Sequence, residues 1–312
     1  MSEPRILFMG TPEFAVPSLE VLVGKGYPVV AVVTQPDRPK GRGQVSAPPP
    51  VKVCALAKGL PVLQPRRVRD PEFLRIFMDI APDMVILVAF GQILPKEIIE
   101  FPRAGCINVH PSLLPRFRGA APINWTLIRG DQRTGVTILR MDEGVDSGDM
   151  LLQEDTSVGP EENAGDLHYR LAAMGARMLP GVIEAILAGT ARAVPQDASR
   201  ATPAPKLSKE DGLIAWDAGV REIVNLVRGL SPFPGAYSFL EGKMIKILAA
   251  EALGGPVGGN PGRIGGPSER GLAVEAGNGH VYLREVQMEG RKKMPARDFL
   301  KGYRLPPEAI LH

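Results

Sequence analysis

The segment Gly105–Asp149, GCINVHPSLLPRFRGAAPINWTLIRGDQRTGVTILRMDEGVDSGD, decides how the chain is read. It opens with an apolar run (Cys106, Ile107, Val109) that carries Asn108 and His110 two positions apart and stops at Pro111. In a strand, residues i and i+2 project to one face, so the amide and the imidazole stand side by side. Proline ends a strand, which places both groups at a carboxyl edge, where open α/β sheets bind ligands. A second strand-like run from Gly135 to Met141 leads into Asp-Glu-Gly-Val-Asp-Ser-Gly, a turn-rich loop that offers Asp146. An amide, an imidazole and a carboxylate in one crevice can stabilise an oxyanion and move protons.

Composition sets the frame. A chain of 312 residues predicts two domains, and 44% apolar with 23% charged residues is ordinary for a globular protein. No window approaches the roughly 18 uninterrupted apolar residues of a membrane span. The N-terminal MSEPRILFMG lacks the layout of a secretory signal. Cys54 and Cys106 are the only cysteines, too few for a disulfide framework or a Cys-rich zinc site, so a reduced, cytoplasmic location is expected. The net charge of +3 lies entirely from Lys206 onward, where 15 Lys and Arg face 12 Asp and Glu; the rest balances at 22 against 22. That distribution suits a polyanionic partner and equally a solvated surface.

Taken in order, Arg5–Met9 reads as a buried first strand. Thr11-Pro12-Glu13 reads as a helix start with Thr11 as N-cap, the helix running to Gly24. Val29–Val33 completes a βαβ unit. The first turn, Gly-Thr-Pro-Glu-Phe, is not G-x-G-x-x-G, and its acid would repel a pyrophosphate, which argues against a dinucleotide cofactor. The stretch Thr34–Pro50 is too long and too rich in Pro and Gly for a routine connection. With Arg38, Lys40 and Arg42 opposed only by Asp37, it is either a floppy surface loop or a basic finger for a phosphate-bearing partner. Further helices are expected at Val51–Lys58, Pro71–Ile80, Pro95–Glu100 and Ala120–Arg129, and strands at Pro61–Leu63, Met84–Ala89, Val136–Met141 and Met150–Thr156. The alternation gives a doubly wound, mainly parallel sheet.

Asn163–Ala188 reads as a helix that Pro180 should kink or divide, with His168 a surface or packing residue. The polar stretch Ala191–Pro205 reads as an interdomain linker. The expected domains are 1–190, a linker 191–207, and 208–312. In the last, one helix (Val220–Gly229) precedes about five short strands separated by glycine-rich turns, the pattern of a small oligonucleotide-binding (OB-like) β-barrel. Four scattered histidines with no H-x-x-x-H pair argue against a metal site, and Cys106 has no base placed to make it a nucleophile.

Asn108-Val109-His110 with Asp146, the run from Ser112 through LLPRFRGAAPIN to Trp125, and MDEGVDSGD closely resemble the formyltetrahydrofolate-dependent formyltransferases. Within that superfamily, GTPEFAVPSL, PDRPKGRG (Pro36–Gly43) and KLSKEDG (Lys206–Gly212) are similar to the members that act on methionyl-tRNA, and the likeness covers essentially the whole chain. The resemblance implies a Rossmann-like formyltransferase domain with a C-terminal barrel. It implies transfer of a formyl group from 10-formyltetrahydrofolate to the amino group of initiator methionyl-tRNA, without metal. Its catalytic residues fall on Asn108, His110 and Asp146. Its folate-binding positions fall on Phe90, Gly91, Gln92, Ser112, Leu113, Leu114, Pro115, Asp142 and Gly144. Its acceptor-stem loop falls on the basic loop with Arg38, Lys40 and Arg42, Arg42 being the principal tRNA reader. Lys206 and Lys209, with Arg291, Lys292 and Lys293, are read from the sequence as an electropositive surface for the tRNA. The expected partners are that tRNA and the folate, with no membrane, and the expected state is a monomer.

The competing enzymes share the chemistry: a formyltransferase for glycinamide ribonucleotide or an amino-sugar nucleotide, or a hydrolase that releases formate. The basic loop and basic C-terminal region argue against all three, since a small acceptor needs no second polyanion surface. A non-catalytic RNA-binding protein on the same scaffold would have lost the Asn-His-Asp set, which is intact.

Overall fold

The computed structural model describes residues 4–40, 45–303, 305–306 and 308–312. Its elements run β1 (Ile6–Gly10), α1 (Val16–Gly24), β2 (Val29–Val33), β3 (Arg38–Lys40), β4 (Val45–Ala47), α2 (Pro50–Ala57), β5 (Val62–Leu63), α3 (Pro71–Ile80), β6 (Met84–Val88) and α4 (Lys96–Glu100). There follow β7 (Cys106–His110), α5 (Pro122–Ile128), β8 (Arg133–Arg140), β9 (Met150–Ser157) and α6 (Ala164–Leu187). The remainder is α7 (Val220–Leu230), β10 (Ala236–Leu240), β11 (Lys243–Gly254), β12 (Ile264–Ser268), β13 (Gly271–Ala276), β14 (Gly279–Met288), β15 (Met294–Pro295) and α8 (Ala296–Gly302).

Contacts divide the chain into two units, one of residues 1–120, 134–156 and 168–205, the other of 121–133, 157–167 and 206–312. The first is built on a seven-stranded sheet of order β5-β2-β1-β6-β7-β8-β9. Strands β5, β2, β1, β6 and β7 pair in parallel, and β7 pairs with β8 antiparallel. The order reverses between β1 and β6, which makes that carboxyl edge the switch point. Register rows run straight across: Leu7–Val85–Cys106, then Met9–Leu87–Asn108. The first row is wholly apolar and packs under Phe73 and Phe77, which lie four apart on one face of α3. The second row ends on an amide, so this sheet face turns from core to polar at Asn108. On the opposite face Val109 meets α6 so closely that a Cβ on Gly175 would lie 2.5 Å from its Cγ1.

Two local expectations are corrected. Thr11 caps no helix: its Oγ1 donates to the Phe90 carbonyl (2.9 Å) and so ties the end of β1 to the end of β6. Helix α6 runs unbroken through Pro180, because Leu179, Val182 and Ile183 are buried around it and packing outweighs the roughly 3 kcal/mol a mid-helix proline costs. His168 is a packing residue, edge-on to Phe14 at 5.3 Å, and burial pulls its pKa down.

The second unit holds an antiparallel sheet of order β10-β11-β14-β13-β12, with β15 on β14. Helix α7 buries Val220, Ile223, Val227 and Leu230 against it, a spacing that puts them on one face. The last residues close the sheet. His312 exchanges both backbone hydrogen bonds with Phe239 at 2.9 and 3.0 Å, while Ile264 N–H donates to Ala309 and Leu311 N–H to Gly262, each at 2.8 Å. The 309–312 segment thus lies between β10 and the start of β12, the two edges, and makes the sheet a closed barrel. No helix among the described residues is long and apolar enough to cross a membrane.

Leu311 is 2% exposed in this closing segment. Leu311→Ala is expected to cost about 2–5 kcal/mol of unfolding free energy in a urea titration. A loss under about 1 kcal/mol would show that the tail is no stave of the barrel.

Candidate active site

Strand β7 delivers Asn108 and His110 to one face at its carboxyl end, and both are buried, at 6% and 4% exposure. Asp146 reaches them from the loop between β8 and β9. Asn108 Nδ2 donates to Asp146 Oδ1 at 3.1 Å, and the Gly119 N–H donates to Asp146 Oδ2 at 2.9 Å. The same Oδ2 lies 3.5 Å from His110 Nδ1. His110 Nε2 sits 2.9 Å from the Phe117 carbonyl, which can only accept, so Nε2 carries a hydrogen. Nδ1 is therefore the ring nitrogen left to gain or lose a proton, and it faces the carboxylate.

The backbone is bent to make this arrangement. Asp146 and Phe117 sit at positive φ, 50° and 61°, a region an aspartate tolerates and a phenylalanine adopts only under constraint. The constraint on Phe117 is its N–H bond to Thr202 Oγ1 at 2.9 Å. Gly119 has φ 118°, and a Cβ there would lie 2.8 Å from the Ala204 carbonyl, so glycine alone brings this N–H to Asp146. Thr137, on β8 opposite His110, organises the connection that follows β7. Its hydroxyl donates to Ser112 O (2.7 Å) and accepts from Leu114 N (3.2 Å) and Gln153 Nε2 (2.8 Å), which uses its full capacity.

The remaining sequence-assigned positions divide. Ser112 and Leu114 are buried beneath this connection, with Leu113 and Pro115 half-buried in it. Phe90 and Gly91 line a cleft of about 430 Å³ with Thr11, Pro12, Gln35 and Pro36 at the switch-point edge. Gln92 turns elsewhere: its Oε1 accepts from Val68 N (2.9 Å) and its Nε2 donates to Arg66 O (3.3 Å). Asp142 is exposed and acts as a turn former, accepting from Gly144 N at 3.1 Å and Ser147 Oγ at 2.9 Å. Arg38 is exposed on β3, its guanidinium 3.4 Å from Gln35 Oε1. Lys40 ends β3, and Arg42 lies outside the described residues. Asp37 is engaged by hydrogen bonds from Gln64 and Lys52, which hold its pKa down. Lys206 is exposed, and Lys209 Nζ lies 5.9 Å over the Tyr237 ring.

Sequence reasoning passed over Thr137, Phe117, Gly119, Thr202 and Gln196. The last two lie in Ala191–Pro205, the stretch read as a linker. That stretch pairs instead with the first unit, through a Met150–Val194 bridge and an Arg118–Pro203 bridge. No periodicity marks such pairing, because it is irregular and made by backbone. Among the described residues no group of three or more His, Cys, Asp or Glu side chains is placed to hold a metal ion.

Residues 4–183 match the family model for formyl transferase, and residues 206–304 match that for the formyl transferase C-terminal domain. A curated relative from Syntrophus aciditrophicus (strain SB), named methionyl-tRNA formyltransferase, is 57% identical over 311 residues, which cover 100% of both chains. One of the same name from Geotalea uraniireducens (strain Rf4) is 50% identical over 100% of this chain and 99% of its own. Among solved structures, an N-formyltransferase from Helicobacter canadensis with folinic acid and dTDP-3-aminofucose superposes at TM-score 0.66. It shares 17% identity over 93% of this chain and 100% of its own, a likeness of fold.

Cys106 lies in β7 beside these groups, fully enclosed, and burial pushes its thiol up to about 12. An acid whose pKa rises on folding contributes stability that is full below its unfolded value of 9.0 and is lost as pH climbs toward 12. At pH 8 iodoacetamide is therefore expected to label the half-buried Cys54 and spare Cys106 in the native protein, read by peptide mass. Faster labelling of Cys106 would show an open or ionised thiol.

Proposed function

The chain belongs to the methionyl-tRNA formyltransferase family, and from that premise we infer that it moves a formyl group from 10-formyltetrahydrofolate to the amino group of methionine esterified to initiator tRNA. The observation that carries the catalytic assignment is that one carboxylate, Asp146, takes a hydrogen bond from Asn108 and faces His110 Nδ1. In the proposed organisation residues 1–190 perform the chemistry and 208–312 help to hold the nucleic acid.

The reaction joins the amine nitrogen to the formyl carbon and breaks that carbon's bond to the folate nitrogen. The amine loses one proton and the departing nitrogen gains one, so no covalent enzyme intermediate is required. Negative charge develops on the formyl oxygen. One hydrogen of the Asn108 amide goes to Asp146, and the second is the donor we assign to that oxygen, a contribution of about 3 kcal/mol. Positive charge develops on the amine. Asp146 is the group we assign to accept its proton, directly or through water. His110, with Nε2 held by Phe117, exchanges protons at Nδ1 alone, which suits relay between that carboxylate and the leaving nitrogen. Cys106, held protonated, is no rival nucleophile.

Folate is assigned to the connection Ser112–Pro115, to Phe90 and Gly91 at the cleft, and to the Asp142–Gly144 turn. For Gln92 the assignment narrows to its backbone, since both ends of its side chain are engaged. The nucleic acid is assigned to Arg38, Lys40, Arg42, Lys206 and Lys209.

The reading is tested by mixing the protein with the formyl-folate and methionyl-tRNA, with free methionine and glycinamide ribonucleotide as control acceptors. Only the charged tRNA should gain a blocked amine, and formylation of a control acceptor instead would overturn the reading. Asn108→Ala should lower kcat by about 100- to 1,000-fold with little change in KM, and Asp146→Ala by about 100- to 10,000-fold. Near-normal turnover in either variant removes that residue from its role. Arg42→Ala should weaken tRNA binding and make its logarithm fall less steeply with that of salt concentration. An unchanged slope would take Arg42 out of the interface.

A further inference from the structure

We propose that Gln196 is a positioning residue for the Asp146 carboxylate; the proposal rests on the catalytic reading of Asp146 given above. Gln196 Nε2 donates to the Asp146 carbonyl and to the Gly148 carbonyl, each at 2.8 Å. Its Oε1 accepts from Arg118 Nε at 3.0 Å and Arg118 Nη2 at 2.8 Å. Two donors and two acceptor sites are all that a primary amide has, so the side chain is fully used. The orientation is fixed as well. A reversed amide would set an oxygen against two carbonyl oxygens and an NH2 against a guanidinium.

The links form a closed circuit. Gln196 grips Asp146 by its main chain, Arg118 orients Gln196, and Gly119, the next residue, donates to the Asp146 side chain. Asp146 at φ 50° is thus held at both ends, its backbone by one partner and its carboxylate by the other. That backbone conformation sets where Oδ1 and Oδ2 point, toward Asn108 and His110. Only a side chain with two N–H groups and an acceptor completes the circuit, so a space-filling role does not account for glutamine here. The surrounding segment has its own anchors: Val194 exchanges two 2.9 Å bonds with Met150, and Ala204 N donates to Arg118 O at 2.7 Å. Loss of the amide therefore leaves the fold tied while the carboxylate loses its hold.

The test compares kcat and KM for Gln196→Ala, Gln196→Glu, Asp146→Ala and the double variant Asp146→Ala/Gln196→Ala, with thermal unfolding as the check on folding. Gln196→Glu keeps length and the Arg118 pairing but presents no N–H to the two carbonyls. Both Gln196 variants should lose about 10- to 100-fold in kcat, with KM for the formyl donor and for methionyl-tRNA nearly unchanged. In the Asp146→Ala background the added Gln196→Ala should change kcat by less than about two-fold, because it has nothing left to position. Equal losses in both backgrounds, or near-normal kcat for Gln196→Glu, would overturn the proposal. A fully active Gln196→Ala beside a crippled Asp146→Ala would overturn it and leave the catalytic reading standing. An active Asp146→Ala would sink both.

Discussion

A single carboxylate has to satisfy three groups of the first unit. Asp146 accepts from the Asn108 amide and from the Gly119 N–H, and its second oxygen faces the imidazole of His110. A charge enclosed this far is tolerable only when its lone pairs are occupied, since an uncompensated one costs several kcal/mol. The requirement explains features that are otherwise odd: glycine at 119, a positive φ at 117 and 146, and a threonine at 202 that reaches back to Phe117. Each serves to bring a donor to that oxygen pair or to lock the ring beside it. The regular part of the fold contributes the two residues of β7. Irregular backbone contributes everything that aims them.

That division also marks what was legible in the sequence. Strand β2 and helix α3 lie where hydrophobic patterning puts them, α3 beginning at a proline that suits a first turn and burying Phe73 and Phe77 on one face. The pairing of Asn108 with His110 follows from the two-residue period of a strand, the turn-rich loop after β8 offered Asp146, and the family likeness joined the three as one set. What patterning could not give is the neighbourhood of these side chains. Thr11 has the composition of a helix cap and is used across the sheet instead, on the Phe90 carbonyl. Pro180 has the composition of a break and is overruled by burial. The 191–205 stretch has the polarity of a linker, yet lies against residues 117 and 118 through hydrogen bonds that no periodicity encodes.

Electrostatics divide the polar groups of the site from its thiol. Cys106 and Asn108 share one face of β7, but Cys106 falls in the apolar row with Leu7 and Val85, and Asn108 in the row where that face opens. One step along the strand therefore separates a silent sulfur from a group able to donate to substrate. Along this face the amide therefore stands nearer the open edge than the thiol does.

The closing rows of the barrel come from residues 309–312, whereas every strand of the seven-stranded sheet is complete by Ser157. During synthesis the first sheet can therefore assemble on the ribosome well before translation finishes. The second must wait with the outer edges of β10 and β12 bare, and bare strand edges are the surfaces through which nascent chains mispair. The antiparallel sheet is thus the one that cannot mature until residues 309–312 have been made, and the one open to mispairing until then.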